Sequence, residues 1–457
     1  MNATIIRDPN IRNIQFQTYG ETVINPIALM LTILMAILIL TVERRYAVVP
    51  MIVVATAVTF MQRIVIAGLD FDMLRILIIA TMIRVILRNE FHTIRFNTID
   101  KMILGWVLVR FLAQTLLWQT TGRLIYNLGF MYNAIGMYYL LRMLIRDRED
   151  IRIVFSALLI ASVFVSLSML NEQITGRNLF GQFFGGVPVR TLFREGRLRS
   201  QAAFSHPILA GSFGAGILPL AWGLLREGPR RRAIGIIGLV TAPLIVATAS
   251  SSGPVMAFAA GLFAISMWKY RLQTRTFFWI GVIGLIALDF VMQAPVYSLI
   301  YRVAVVGGST GYHRYMLIDQ AVRRFSEWWL LGTRSSAHWG WGLQDVTNMY
   351  IREGIDGGFF GMMFFALANW FMFRAVAVLV KRRPFEDGSR LVWGLGASLF
   401  AHNTSFFGVS YFGQMLFFWY LTAAMIGSLW QLEAVPNGVT FYGRDRYGIG
   451  GRLEEVM

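Results

Sequence analysis

The sequence predicts an all-α, multi-pass membrane protein with about 12–13 transmembrane helices in a single domain over residues 1–430. Three observations predict it: the chain is 56% hydrophobic but only 15% charged, its mean hydropathy is +0.56, and apolar runs of membrane-spanning length follow one another. A chain of 457 residues with this composition carries more apolar surface than one soluble core can hide.

Runs long enough to cross a bilayer fall at 23–41, 46–68, 72–87, 102–118, 124–144, 152–170, 203–224, 233–249, 253–270, 276–293, 356–380, 391–408 and 411–431. The first, Val23 to Thr41, follows a polar stretch and is long enough to span, so no cleavable leader is expected. The polar residues 431–457 read as a cytoplasmic tail. No strand-alternating domain, coiled coil or solenoid repeat is expected. Cysteine is absent, which removes disulfides, thiolate metal sites and a cysteine nucleophile.

Loop charge sets the orientation. Basic residues cluster on alternate connections, at Arg44/Arg45, Arg88/Arg95/Lys101, Arg142/Arg146/Arg148/Arg152, Arg226/Arg230/Arg231/Arg232, Lys269/Arg271/Arg275 and Lys381/Arg382/Arg383/Arg390, which places those connections in the cytoplasm. Two long connections, 171–202 and 294–355, then lie outside and break the pattern. The first carries Arg177, Arg190, Arg194, Arg197 and Arg199 against Glu172 and Glu195; the second carries Arg302, Arg314, Arg323, Arg324, Arg334 and Arg352. Only Lys101, Lys269 and Lys381 of the 42 basic Lys and Arg residues are lysine. Arginine is a rigid fork that grips phosphate oxygens in pairs, so an outward arginine excess points to an anionic, phosphate-bearing ligand.

Three stretches carry the candidate site. In Arg197 to Ala221, Ser205, His206 and Pro207 read as a helix start whose amino end favours an anion, and Gly211, Gly214 and Gly216 permit close packing. In the larger loop, Tyr315, Ile318, Val322, Phe325 and Trp329 recur at helical spacing as an amphipathic helix with His313 and Arg314 at its start. His313 suits a base near neutral pH, beside an arginine able to hold a leaving phosphate. Trp328, Trp329, Trp339 and Trp341 read as an interfacial belt, with sugar stacking as the alternative. From Leu343 to Gly361 the chain re-enters the membrane, with Asp345 as either a partner for an acceptor hydroxyl or a helix cap, and Asn348 beside it. Arg63, Arg75, Arg84, Arg110 and Arg374 fall within spans, Arg75 and Arg110 being those expected to face a polar cavity. No P-loop, outward carboxylate pair, metal-ligand spacing or nucleophile elbow is present, so neither a metal nor a cofactor is expected, nor a nucleic-acid partner.

Over residues 150–430 these features resemble the O-antigen ligase and O-antigen polymerase superfamily of bacterial envelope glycosyltransferases. Arg199 to Pro207 looks like the family's arginine followed by a small-residue helix. Thr248 to Pro254, TASSSGP, is similar to its Ser-Arg-Gly turn, with Ser252 in the arginine slot. Arg314 resembles the family's arginine on the outer-loop helix. Asn348, Tyr350 and Ile351 resemble its His-Asn-x-Tyr-Leu pattern, with Thr347 in the histidine slot, and Asp356, Gly358 and Gly361 the acidic residue and two glycines that follow it.

The resemblance implies an inverting, metal-independent transfer from an undecaprenyl-pyrophosphate-linked glycan to a saccharide or glycolipid acceptor, on the periplasmic side of the inner membrane. It implies Arg314 and Arg199 as catalytic residues; with Thr347 in the histidine slot, either Asp345 or His313 takes the base's role or the pyrophosphate leaves with little base assistance, and Arg190, Arg197, His206, Arg323, Asn348 and Tyr350 are the expected substrate-binding residues. A chain-length regulator or flippase of the same pathway would be a further partner, beside the membrane lipids. Threonine at 347 cannot act as a base at neutral pH and tilts the expectation from ligase toward polymerase. A transporter or flippase for an anionic lipid-linked glycan is the competing reading, distinguished by where the arginines gather.

Overall fold

The computed structural model describes residues 22–66, 68–91, 94–194, 196–302, 310–382 and 388–433; almost all of the expected tail lies outside them. Its principal elements in chain order are α1 (Pro26–Thr41), α2 (Val49–Ala57), β1 (Arg63–Ile66), β2 (Leu69–Asp72), α3 (Met73–Leu87), α4 (Thr98–Trp118), α5 (Thr121–Leu144), α6 (Arg148–Thr175), α7 (Leu179–Phe183), β3 (Leu192–Arg194), β4 (Arg197–Arg199), α8 (Pro207–Leu224), α9 (Pro229–Thr248), α10 (Ser252–Ser266), α11 (Thr274–Val291), α12 (Leu299–Arg302), α13 (Thr310–Arg323), α14 (Phe325–Trp328), α15 (Met349–Arg382), α16 (Ser389–Phe406) and α17 (Gln414–Glu433). Among the described residues, seven helical stretches are long and apolar enough to cross a membrane, α10 and α11 counting as one.

Helix starts follow side-chain chemistry. Asn97 with Asp100, and Asp147 with Asp150, form reciprocal capping boxes on α4 and α6. Pro207 and Pro229 occupy first-turn positions of α8 and α9. The connections then alternate between two ends of the bundle. At one end Arg44 bonds Asp150 at 2.5 Å and Arg152 bonds Glu227 at 2.6 Å. At the other, the loop end, Asn25 Nδ2 reaches the Phe183 carbonyl at 2.9 Å and Gln414 Nε2 reaches the Ala203 carbonyl at 2.8 Å.

Two expectations are corrected. The run at 46–68 is not one spanning helix but the nine-residue α2 followed by the antiparallel β1–β2 hairpin, Arg63 opposite Asp72. Ile64, Val65 and Ile66 are β-branched and a left-handed Gly68 turns the chain, so local geometry favours a hairpin where hydropathy alone reads a span. A second hairpin, β3–β4, lies in the first loop. In the larger loop α13 forms as expected, but its buried stripe is Arg314, Leu317 and Ala321, continued by Trp328 after a break, while Val322, Phe325 and Trp329 are exposed. The pattern has apolar side chains on two faces, and Leu317 and Ala321 are the pair that packs with Leu343, Val346, Ile351 and Ile355.

Buried charge is paired within the scaffold. Arg110 bonds Glu353 and Asp356, each at 2.6 Å; Trp106 Nε1 donates to the second oxygen of Glu353 at 2.7 Å, and Arg352 holds Asp356 at 2.8 Å. Arg84 pairs with Glu90 at 3.1 Å, and Arg142 with Asp100 at 3.1 Å. Arg75 meets Asn133 at 2.9 Å and Asp72 at 3.6 Å, and Arg63 lies 3.9 Å from Asp70. Arg75 and Arg110 therefore meet fixed polar partners instead of a polar cavity. Beside the Arg110 cluster the loop locks onto α15: Thr333 N donates to the Ile355 carbonyl at 3.0 Å and Phe359 N to the Trp329 carbonyl at 2.7 Å. Gly358 kinks α15 at φ 65°, and a Cβ there would meet the Leu330 carbonyl oxygen at 2.3 Å, so only glycine fits.

Replacing Arg110 with Met leaves Glu353 buried without a cation, Asp356 keeping Arg352, and is expected to cost about 3–5 kcal/mol. Thermal unfolding in detergent would show it, with partial recovery when Glu353→Gln is added. An unchanged transition would contradict the pairing as a structural requirement.

Candidate functional site

The loop-end arginines are arranged by a short hairpin. Strand side chains alternate, so the β3–β4 register, Leu192 opposite Arg199 and Arg194 opposite Arg197, puts Arg194, Arg197 and Arg199 on one face. The end of α6 holds this hairpin down. Glu172, fully buried, accepts from the backbone N–H of Gln201 at 3.1 Å and of Ala202 at 2.6 Å. Gln173 Nε2 donates to the carbonyls of Leu198 at 3.1 Å and Thr248 at 2.8 Å, tying the hairpin to the turn between α9 and α10.

That turn is where the two principal arginines meet. Arg199, 8% exposed, donates through Nη2 to Ser251 Oγ; Ser251 is the N-cap residue of α10, yet its side chain makes no cap bond. Arg314, also 8% exposed, arrives from α13 on the same turn. Its Nη2 lies 3.7 Å from where a Cβ on Gly253 would stand, and its guanidinium 3.3 Å from where one on Gly408 would stand. Gly408 in the α16–α17 connection therefore leaves the space that the guanidinium occupies. Any side chain there would push it away.

Arg314 has no hydrogen-bond or ion-pair partner among the described residues. Its Nε is sealed from solvent and unbonded. Burial, and next the charge of Arg194, push its pKa down. Five acids near the loop end are engaged elsewhere, while the Asp345 carboxylate is exposed: Asp319 by Arg323 at 2.7 Å, Glu327 by Arg324 at 2.8 Å and His338 at 2.7 Å, Glu353 and Asp356 by Arg110, Glu172 by backbone N–H groups. A buried, uncompensated guanidinium beside further cations favours an anion strongly.

His206 caps α8, its Nδ1 accepting from Ile208 N at 3.1 Å. Burial first, then the charges of Arg199 and Arg194, push its pKa down to about 4. The ring is thus neutral at pH 7, and with Nδ1 accepting, Nε2 carries the proton as a donor.

The other expected site residues are placed as follows. His313 Nε2 meets the Asp345 carbonyl at 3.0 Å, leaving Nδ1 as the lone-pair nitrogen when Nε2 donates. The Asp345 side chain is exposed, and the cap at the start of α15 is Asn348, whose Oδ1 accepts from Ile351 N at 3.2 Å. Tyr350 donates to Asn403 Oδ1 at 2.5 Å and faces the bundle interior. Arg190 and Arg197 are exposed, Arg190 bridging Arg177 through the backbone; Arg323 is exposed and paired to Asp319. Thr347 Oγ1 is buried without a partner. Sequence reasoning missed Gly408, for which a lone glycine in a short connection gives no signal. It did not single out Arg194, whose hairpin neighbours reveal it only once the register is known.

The fold and site define a helical membrane-type protein with two buried arginines gathered on one turn at an end of its bundle. Scanning the chain against protein-family models finds no match, and no curated protein matches its sequence. Among the described residues no group of three or more His, Asp or Glu is placed to hold a metal ion.

The folded pKa of His206 lies below its ordinary value of 6.5, so the unfolded chain binds more protons at intermediate pH. The stability it contributes is full above pH 6.5 and is lost as pH falls toward 4. Melting temperature should fall more steeply across that window in the wild type than in His206→Asn, which retains a capping acceptor. Equal slopes would contradict the assignment.

Proposed function

We propose that the protein is an inverting glycosyltransferase whose donor is a glycan on undecaprenyl pyrophosphate, and that it most directly serves polymerisation of O-antigen or exopolysaccharide repeat units. In this reading the chain crosses the bacterial inner membrane about 12 times and the loop end faces the periplasm. The observation that carries it is the meeting of Arg199 and Arg314 on one turn, at Ser251 and Gly253. Both are buried, and Arg314 has no acid to neutralise it.

The chemistry follows from that placement. The acceptor hydroxyl oxygen attacks the anomeric carbon, the bond from that carbon to the phosphate oxygen breaks, and pyrophosphate leaves with the bonding pair. Charge develops on the leaving oxygens, where fixed guanidinium donors act most strongly. The His206 Nε2–H adds a neutral donor, and His313, through its free Nδ1, is the group to take the acceptor proton. Gathering at one end supports transfer over transport, since a carrier needs its cations along a path open to both sides. Ligation to a glycolipid uses the same donor and remains the alternative; Thr347 in place of a histidine favours polymerisation.

The test is reconstitution with an undecaprenyl-pyrophosphate-linked repeat unit, products sized on a gel. Arg314→Ala and Arg199→Ala should each lower the rate by about 10²–10³, the loss typical of one transition-state donor. Arg314→Lys should recover little, because lysine lacks the fork. Full polymer from both alanine variants would overturn the site, and no product from folded wild type supplied with donor and acceptor would favour transport.

A further inference from the structure

The loop end of α4 carries a second group of cations, on elements that the first site does not use. Arg123, from the first turn of α5, donates through Nε at 2.9 Å and through Nη2 to Gln114 Oε1. Arg334, from the larger loop, donates through Nε at 3.3 Å and Nη2 at 2.9 Å to the Leu117 carbonyl. Each guanidinium is thus oriented along one edge by an acceptor in the last two turns of α4, with its Nη1 unbonded among the described residues. Both also lie over one ring: their central carbons are 5.1 and 5.7 Å from the Trp118 centroid, and Tyr126 faces Arg123 at 4.6 Å.

The charge there is unbalanced. Neither arginine has a carboxylate partner among the described residues, and Asp356 is already bonded by Arg110 and Arg352. The carboxyl end of α4 and the amino end of α5 meet there, and their half charges oppose each other, so the two positive charges stay uncompensated. Trp118 Nε1 is buried without a partner, a further unmet donor beside them. Directly adjoining is apolar surface: Leu112, Leu116, Leu124 and Ile125 are all exposed. Cations at a helix end above exposed leucine match the shape of an amphiphile with an anionic head.

We propose that Arg123 and Arg334, set around Trp118, form a seat for a phosphate group, presented by a phospholipid whose chains lie along Leu112 and Leu116. Two forks held by Gln114 and the Leu117 carbonyl offer their open edges to phosphate oxygens. The aromatic faces restrict both guanidiniums, so little rotamer freedom is lost on binding. This inference does not depend on glycosyl transfer.

Native mass spectrometry of the full chain in detergent tests it, with dioctanoyl phosphatidylglycerol, dioctanoylglycerol and inorganic phosphate as probes. Phosphatidylglycerol affinity should fall about tenfold or more in Arg334→Gln and in Arg123→Gln, the loss expected for one charge-assisted hydrogen bond. Arg324→Gln, which removes a cation paired to Glu327, should bind as wild type. Dioctanoylglycerol, lacking the phosphate, should bind weakly and equally throughout. Inorganic phosphate that displaces the lipid from the wild type would show that the seat accepts phosphate from either source; lipid binding untouched by it would assign the seat to lipid. Arg334 lies in an exposed loop, so its variant tests the seat even if Arg123→Gln fails to fold. Undiminished phosphatidylglycerol binding in Arg334→Gln, or equal binding of dioctanoylglycerol, would overturn the proposal.

Discussion

A guanidinium taken out of water without an opposing charge is among the least favourable arrangements a protein can hold, and Arg314 is in that state. It is held there by shape. Leu317 and Ala321, on the same face of α13, pack against Leu343, Val346, Ile351 and Ile355, which fixes the helix and with it the position of Arg314. Gly408 and Gly253 then leave space on either side of the guanidinium. The surrounding structure bears the penalty of burying the cation, and in the proposed function a phosphate-bearing ligand relieves it on binding. That is the physical meaning of a preorganised anion site.

The rest of the bundle supports this by keeping carboxylates away. Arg110 holds both Glu353 and Asp356 where α15 meets α4, although these acids lie in sequence close to the larger loop. Glu172, another acid at the loop end, is turned inward to clamp the backbone at Gln201 and Ala202. The clamp also sets the hairpin that delivers Arg199 to Ser251. Two kinds of acid use, pairing inside the scaffold and gripping backbone, thus keep these three acids from neutralising Arg314.

Much of this was legible in the sequence, and the limits have physical reasons. Hydropathy reads the long helices because burial in lipid demands continuous apolar length, but it cannot tell the α2 and β1–β2 segment from a span, since β-branched residues are equally apolar in either. Arg199 and Arg314 stood out because arginine on an outward loop breaks the charge rule. Which arginines are neutralised was not legible: Arg323 and Arg314 sit nine positions apart on one helix, one exposed and paired to Asp319, the other buried and unpaired. The buried stripe of α13 was misplaced because two faces carry apolar residues and only the tertiary partner selects one. The expected hydroxyl of Tyr350 is bonded to Asn403, a partner 53 positions away that no local pattern announces.

The central claim is that Arg314 awaits a phosphate-bearing ligand, and direct binding tests it without requiring any acceptor or product. Farnesyl pyrophosphate titrated into purified protein, in EDTA, should bind the wild type and lose about tenfold or more in Arg314→Gln, the value of one charge-assisted hydrogen bond. Both affinities should weaken with added salt, the wild type more steeply. Equal affinity in the two proteins would contradict the account, because the guanidinium would then be buried for some reason other than the ligand.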